Sequence, residues 1–417
     1  MEVSESFYEF VEAHARDDVH ALRLKYGSAS ALDFEMDFAI TQIESRNKSA
    51  KKIPGFISHR KFLFPSVVAF EQATNEAVAS YHSSLINPDS SLLDLTAGLG
   101  IDDLTFALNG IRVETCEVES FKCEILRHNA EILNVSDKLD VVHADSIEYL
   151  KNTDKTFDII FADPARRGKA GNRLHALSDC MPDILGNEDL ILQHTSRLLV
   201  KCSPLLDISF IIRTVRCLKH IHVVCFRGEC KEILLDISKD ESYTGATVVD
   251  LDWNHIISIF ETRHTIENSN LKIKYAGTQS PADYKYLYEP NSGVMKTGAW
   301  DVLATKYPDV VKADANTHLF FSDTLYPDFP GRILAIECMA DKKKLKSMKG
   351  SRCNIVARNH PLSSPQISEK YGIVSGGEKF LYAFSCKGKR LMLISEPVTA
   401  PPLQKTLLGP KAATSKP

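Results

Sequence analysis

Over the first fifty residues apolar positions recur every three or four residues (FYEFVEAHARDDVHALRLKYG, then ALDFEMDFAITQIESR). That period predicts helices, interrupted near Gly27 and Ser28. A short basic stretch follows (Arg46, Lys48, Lys51, Lys52, Arg60, Lys61), with a turn at Pro54 and Gly55. From Pro65 the spacing predicts a further helix through EQATNEAVASYHSSLI. It should stop at Asn87, because the residue before Pro88 avoids helical backbone. The rhythm then changes. SLLDL, RVETCEV, LDVVHA, FDIIFA, RLLVKC and HIHVVCF are short apolar runs, most of them separated by helical segments (DDLTFALNG, SFKCEILRHNAEILN, SIEYLKN, LLDISFIIRTVRC). Such alternation predicts an α/β, doubly wound, Rossmann-like sheet that is mostly parallel, with helices on both faces. Its ligand should sit beyond the carboxyl ends of the strands.

Past residue 240 the pattern becomes strand-rich (YTGATVVDLD, HIISIFETR, NLKIKYA) and leads into YLYEPNSGVMKTGAWDVLATKYP. The last module reads strand (RILAIEC), helix (ADKKKLKSM), strand (CNIVAR), helix (SSPQISEKYG), then two strands (KFLYAFSC, KRLMLISE), an α+β order. The expected division is an N-terminal helical region 1–66, the α/β domain 67–240, a connecting region 241–330, the final module 331–397 and a tail 398–417. The tail is rich in Pro, Lys and Ala, and is expected to be disordered.

Composition narrows the class. With 417 residues, 44% of them hydrophobic and 25% charged, the chain can bury sizeable cores, and disordered or collagen-like classes are excluded. No run approaches the ~18 apolar residues of a membrane span, and the acidic start MEVSESFYEF does not read as a signal peptide. Ten cysteines include no CxxC pair. They read as buried thiols of a reducing cytoplasm, neither disulfides nor zinc ligands, so no metal is expected. The net charge of −4 hides an asymmetry: residues 331–417 hold 16 Lys/Arg against 5 Asp/Glu, the rest 34 against 49. Lys342, Lys343, Lys344, Lys346, Lys349 and Arg352 fall within eleven residues. A solvated helix face is the bland explanation. Because the excess extends through Arg358, Lys387, Lys389 and Arg390, a nucleic-acid-binding surface is the favoured one.

One constellation carries chemistry. Asp94, Gly98 and Gly100 lie in DLTAGLG, directly after a strand and before a helix, where glycines let a ligand approach the backbone. A dinucleotide fingerprint would place a third glycine where Asp103 stands, and no GxxxxGK[ST] occurs, which argues against NAD and against a triphosphatase. Glu117 ends the next strand, where a carboxylate can accept both hydroxyls of a ribose. Asp145 and Asp163 end the third and fourth strands. A helix-capping role explains any one such residue, but four in order along a single ligand edge point to one crevice.

This set resembles the class I S-adenosylmethionine-dependent methyltransferases over about residues 67–240. The resemblance implies that Asp94, Gly98 and Gly100 meet the methionine part of the cofactor, Glu117 the ribose and Asp145 the adenine. Asp163-Pro164-Ala165-Arg166-Arg167 stands where amino-methylating relatives carry [DN]PP[FYW]. There the acidic side chain and the following carbonyl accept the hydrogens of an exocyclic amine. The second proline and the aromatic residue are missing here. Arg166 can stack on a base or grip a phosphate instead; equally, Arg166 and Arg167 can pair with nearby carboxylates. DP-x-R-x-G (163–168) with Cys202 also resembles the RNA uracil-C5 methyltransferases, which use a cysteine nucleophile, although Ala165 and Ser203 depart from that pattern and a buried cysteine is usually inert.

A second resemblance spans nearly the whole chain. EQATNEAVASY, DLTAGLGID, FADPARRG, KCSPLLDI, GECKEILLD, YLYEPNSGVMKTGAW, NTHLFFSDTLYPDFPGR and CNIVARNHPLS look like the bacterial class I methyltransferases with a ferredoxin-like segment, here within 241–330, and a C-terminal THUMP-like domain, here 331–397. It implies S-adenosyl-L-methionine as cofactor and RNA as partner but names no base; methylation of a base nitrogen is the favoured expectation. Asp163, Pro164 and Arg166 would be at the reacting centre, and the six basic residues 342–352 would dock the RNA. Glu71, Gln72 and Thr74 are candidates to close over the site, while Glu229, Lys231 and Glu232 read as an internal ion-pair cluster. The rival from another class is a non-catalytic RNA-binding or scaffold protein that keeps the fold.

Overall fold

A computed structural model describes residues 3–26, 34–166, 180–239, 242–253, 255–262, 274–277, 279–398 and 405–406. Nine strands and the two-residue strand Lys405–Thr406 build the first sheet: β1 (Ser91–Asp94), β2 (Arg112–Glu117), β3 (Leu139–His143), β4 (Ile159–Ala162), β5 (Arg197–Cys202), β6 (Leu218–Phe226), β7 (Glu229–Ser238), β8 (Gly245–Asp252) and β9 (His255–Thr262). Their order is β3-β2-β1-β4-β5-β7-β6-β8-β9. β1 to β5 run parallel, and β7 is antiparallel to both β5 and β6. Leu93, Ile160 and Leu198 pack into one large apolar cluster, Leu92, Phe161 and Leu199 into another, so both faces of the central strands are covered. The direction of winding reverses between β1 and β4, which is where such a sheet opens a crevice.

The expected helix from Pro65 to Ile86 is two helices, Val67–Gln72 and Glu76–Ser84. Ala73 is extended and Asn75 caps the second helix by accepting from the Ala77 N–H, so the break at 73–75 is locally specified. It turns Thr74 inward. A helix not anticipated, Glu188–His194, precedes β5, and β7 itself was anticipated only as a motif. The β6–β7 hairpin turns on Arg227 (φ +52°) and Gly228 (φ +79°), the paired positive angles that match strand twist.

A second sheet holds β10 (Tyr286–Pro290), β11 (Phe320–Ser322), β12 (Gly331–Met339), β13 (Asn354–Arg358), β14 (Phe380–Cys386) and β15 (Lys389–Pro397). Its order is β11-β10-β12-β15-β14-β13, with Val311–Lys312 flanking β11. β10 pairs with β12 over five residue pairs, from Tyr286 opposite Ala335 to Pro290 opposite Gly331. The boundary expected between 330 and 331 therefore runs through a single hydrogen-bonded sheet, because Leu287 and Leu334 share one apolar core. Likewise β8 and β9, expected in the connecting region, extend the first sheet. Of the expected strand NLKIKYA only 274–276 are described, Tyr275 bridging Lys312. Of the segment expected as tail, Val398 is described and Lys405–Thr406 pair with β9; the rest lies outside the described residues.

Candidate active site

The carboxyl ends of β1, β2, β3 and β4 lie side by side, Asp94 in register with Thr115 and Phe161, and Glu117 with His143. The turn after β1 is stitched to both neighbours: the Leu95 N–H donates to the Phe161 carbonyl and the Ala97 N–H to the Cys116 carbonyl. Gly98 (φ +58°) and Gly100 (φ +78°) are left-handed, a conformation that costs side chains energy. A Cβ on Gly100 would stand 2.3 Å from Leu126 Cδ1, whereas at Gly98 the nearest atom is 3.9 Å away. Gly100 is thus required by packing against the helix behind, and Gly98 keeps an open backbone face.

Asp94, Glu117 and Asp145 reach the same edge, each with its carboxylate held by different hydrogen bonds. Asp94 is 2% exposed and accepts from Thr96 N–H (2.6 Å) and Oγ1 (3.0 Å). Burial pushes it up to about 7, with the Thr96 bonds opposing, and Asp103 beside it is raised further by burial and by Asp94. The two share a proton-rich pair. One oxygen of Glu117 accepts from the Glu119 N–H at 2.9 Å. Asp145 caps the helix Ser146–Lys151 by accepting from Ile147 and Glu148 N–H, the commoner role for such a residue.

Asp163 follows β4, and its N–H donates to Thr96 Oγ1 at 2.6 Å, tying the β1 and β4 ends together. Its carboxylate meets a residue that sequence reasoning missed. Lys201, on β5 and 7% exposed, places Nζ 2.5 Å from Asp163 Oδ2, 2.6 Å from Thr74 Oγ1, 3.3 Å from Asp102 Oδ2 and 4.0 Å from Glu232 Oε2. His82 sits behind, Nδ1 2.8 Å from Asp102 and Nε2 2.5 Å from Glu232, and Thr74 also donates to Asp102. Burial alone would neutralise these groups, but their mutual attraction wins. Lys201 is raised by Asp102, Asp163 and Glu232, and His82 is held at about 9 by Glu232 and Asp102. Asp102 is held low by Lys201 and His82. Two cations against three carboxylates leave the cluster at −1.

This cluster floors a cavity of about 510 Å³ lined by Lys52, Gln72, Thr74, Asp163, Pro164, Cys202, Pro204 and Lys231, among others. Gln72 and Thr74 therefore meet the site, while Glu71 pairs with Lys48 outside it. Glu232 belongs to the buried cluster, and Glu229 pairs with Lys231. Lys52 donates to the Phe70 and Glu71 carbonyls, and burial with Lys201 and Lys231 nearby pulls it down to about 8. The Cys202 thiol is raised by burial and by Cys180, Asp163 and Glu232, which works against a thiolate nucleophile. Arg166 pairs through its backbone with Cys180; its side chain, with Arg167 and Gly168, lies outside the described residues. Lys342, Lys343, Lys344, Lys346, Lys349 and Arg352 are all exposed and lie on or just beyond the helix Lys342–Ser347, in the connection from β12 to β13, and none of them lines this cavity. Among the described residues no group of carboxylates, histidines and cysteines could hold a metal, and no helix is long and apolar enough to cross a membrane.

The sheet order, with β7 antiparallel between β5 and β6, and the glycine turn at the winding reversal define a class I, Rossmann-like methyltransferase fold. Comparison with known proteins agrees. Residues 89–173 match the family model described as RNA cap guanine-N2 methyltransferase, and residues 286–330 that of a ferredoxin-like domain. The solved structure of a candidate methyltransferase from Porphyromonas gingivalis W83 superposes with a TM-score of 0.79 at 25% identity, over 96% of this chain and 100% of that one. Ribosomal RNA small subunit methyltransferase J of Francisella tularensis subsp. novicida is 35% identical over 81 residues, 18% of this chain and 34% of that protein. An uncharacterised RNA methyltransferase of Mycoplasma mobile is 34% identical over 86 residues, 21% of this chain and 23% of its own length. The chain thus spans about a third or less of these curated relatives. It is a methyltransferase-fold protein with a ferredoxin-like domain, similar along nearly its full length to the P. gingivalis protein.

Proposed function

We propose that the chain is an S-adenosylmethionine-dependent RNA methyltransferase acting on a base nitrogen. The observation that carries this reading is Asp163 at the end of β4, its carboxylate fixed by a buried lysine and facing a cavity with a lysine rim. The residues present fit the cofactor: the open backbone at Gly98 offers a cradle, and Glu117 has one oxygen engaged by Glu119 and, among the described residues, a second left for ribose hydroxyls. Asp145 would lie beside the adenine. When bound, that cofactor supplies an electrophilic methyl carrying its own leaving group. The chain's task is then to align a nucleophile at about 3–3.5 Å and keep water out.

Asp163 and the Pro164 carbonyl accept hydrogens of an exocyclic amine and stabilise the positive charge that grows on nitrogen as the methyl arrives. Lys201 holds the far oxygen of Asp163, which orients the near one. Thr74, Pro204 and Leu206 wall the cavity, and Lys52 and Lys231 face the phosphates. Arg166 would stack on the base in place of the missing aromatic residue. The basic face at 342–352, in a module proposed to be THUMP-like, docks the RNA in the cytoplasm.

The test is transfer of a tritiated methyl to RNA from cells lacking the gene, followed by nucleoside mass spectrometry. Label in a base-methylated nucleoside that disappears with Asp163→Ala supports the reading; no label in any RNA fraction refutes it. The lack of an aromatic residue after Asp163-Pro164 favours one second reading, a non-catalytic RNA-binding scaffold. Calorimetry separates the two, since the scaffold reading expects no S-adenosylhomocysteine binding that Glu117→Ala abolishes.

A further inference from the structure

A second cavity, at about 960 Å³ larger than the one just described, lies between the two sheets, within the size range of small-molecule sites. It shares a wall with the crevice already described. Phe226, Lys231 and Glu232 face the first cavity, while Arg227, Gly228 and Glu229, on the same β6–β7 hairpin, face this one. Opposite the hairpin, Arg332 and Arg358 converge on the buried carboxylate of Glu289, at 3.0 and 2.6 Å. Two guanidiniums on one carboxylate leave one positive charge, on side chains about half exposed. Met295, Pro327 and Val398 give an accessible apolar surface, and Asn316 and Asn359 give amides. His318 lines the same space, stacked on Trp300 at 4.7 Å and 12°, with its Nδ1 buried and unpartnered among the described residues. Apolar surface for a base, amides for its edge and a forked cation for a phosphate are together the chemistry of a nucleotide.

We infer that this cavity binds one nucleotide of the RNA flanking the target, phosphate on Arg332 and Arg358 and base against Met295 and Pro327, with the hairpin as the partition between target and neighbour. The inference rests on the RNA-methyltransferase reading for its partner but not for its site. The chain carries a reporter, because each of its two tryptophans contacts a residue that lines the cavity: Trp300 is stacked on His318, and Trp253 lies 5.8 Å from the Arg227 guanidinium.

The experiment titrates the four ribonucleoside 5′-monophosphates into the full chain and follows tryptophan fluorescence, then competes with oligouridylates of three to twelve residues. A saturable change that Arg358→Gln weakens at least about tenfold, that Asn316→Phe abolishes, and that a longer oligonucleotide displaces, is the expected result. Glu289 keeps Arg332 and Tyr382 in the Arg358 variant, so the fold is retained; unaltered S-adenosylhomocysteine binding checks it. Fluorescence unchanged by every probe overturns the inference even where methyl transfer to RNA is intact. Mononucleotide binding that no oligonucleotide displaces also overturns it, marking a site for a free nucleotide. Displaceable binding without any methyl transfer would keep this site and sink the proposed activity instead.

Discussion

Lys201 holds a charge that is almost wholly buried, and its worth lies in what it would leave behind. Replacing it by methionine strands Asp102, Glu232 and Asp163 with His82 as their one remaining cation. Breaking such a buried pair costs about 3–5 kcal/mol, so Lys201→Met should lower the thermal midpoint sharply in a melting experiment. Asp163 is different, because its side chain is 42% exposed and its loss leaves Lys201 with Asp102 and Glu232. Asp163→Ala should cut methyl transfer about 100-fold, with S-adenosylhomocysteine affinity within threefold by calorimetry. Asp163→Asn should retain more activity than Asp163→Ala, since an amide oxygen still accepts a hydrogen bond; equal loss in both would assign Asp163 a proton-abstracting role.

The turn between β1 and its following helix tests how backbone geometry sets the site. Gly100→Ala adds a Cβ against Leu126 in a left-handed position and should cost about 1–3 kcal/mol in urea unfolding. The neighbouring Asp94–Asp103 pair gives stability a pH signature. Both carboxyls are raised in the folded chain, so between pH about 4, where the unfolded residues lose their protons, and about 7, where Asp94 does so when folded, the folded state binds more protons. Stability from this pair is therefore full at low pH and declines as pH rises through that window. Asp103→Asn removes the like charge, and its urea midpoint should fall less between pH 5 and 7.5 than that of the unaltered protein.

The strand ends carrying Asp94, Glu117, Asp145 and Asp163 could be read in advance, because a turn signal closes each apolar run. β7 could not: its run KEILLDIS is buried on both faces and shows no alternation to mark a strand. Lys201 had one signal, a lysine inside RLLVKC, where a central strand should be wholly apolar. His82 had none; Thr74 was a candidate to close over the site, but a pattern that predicts one continuous helix cannot show that a cap at Asn75 breaks it and swings Thr74 beneath the cluster. Asp102 was hidden for a similar reason: an acidic residue in a first helical turn ordinarily faces water, and here the helix Ile101–Leu108 is buried nearly all round.

For the chain as a unit, the charge asymmetry makes a salt prediction. If the helix Lys342–Ser347 docks RNA, each phosphate no longer neutralised by a lysine lowers the slope of log affinity against log salt by about 0.7 for a single strand. Lys342→Glu, Lys343→Glu and Lys346→Glu together should flatten that slope by about two in a fluorescence-anisotropy titration, with no change in thermal midpoint because all three side chains are exposed. An unchanged slope would place RNA docking elsewhere.

The pairing of β10 with β12 has one more consequence. The strand that leads into the ferredoxin-like domain and the strand that leads into the lysine-bearing helix are neighbours in one sheet, so the grip on RNA proposed for that helix would not be tethered to the ferredoxin-like domain by a loose leash. Under the proposed function such a molecule would work as a pair of calipers. It would select its nucleotide by how far along the strand it lies from the gripped feature, and lengthening the RNA between the two by a single nucleotide should move the mark rather than weaken it.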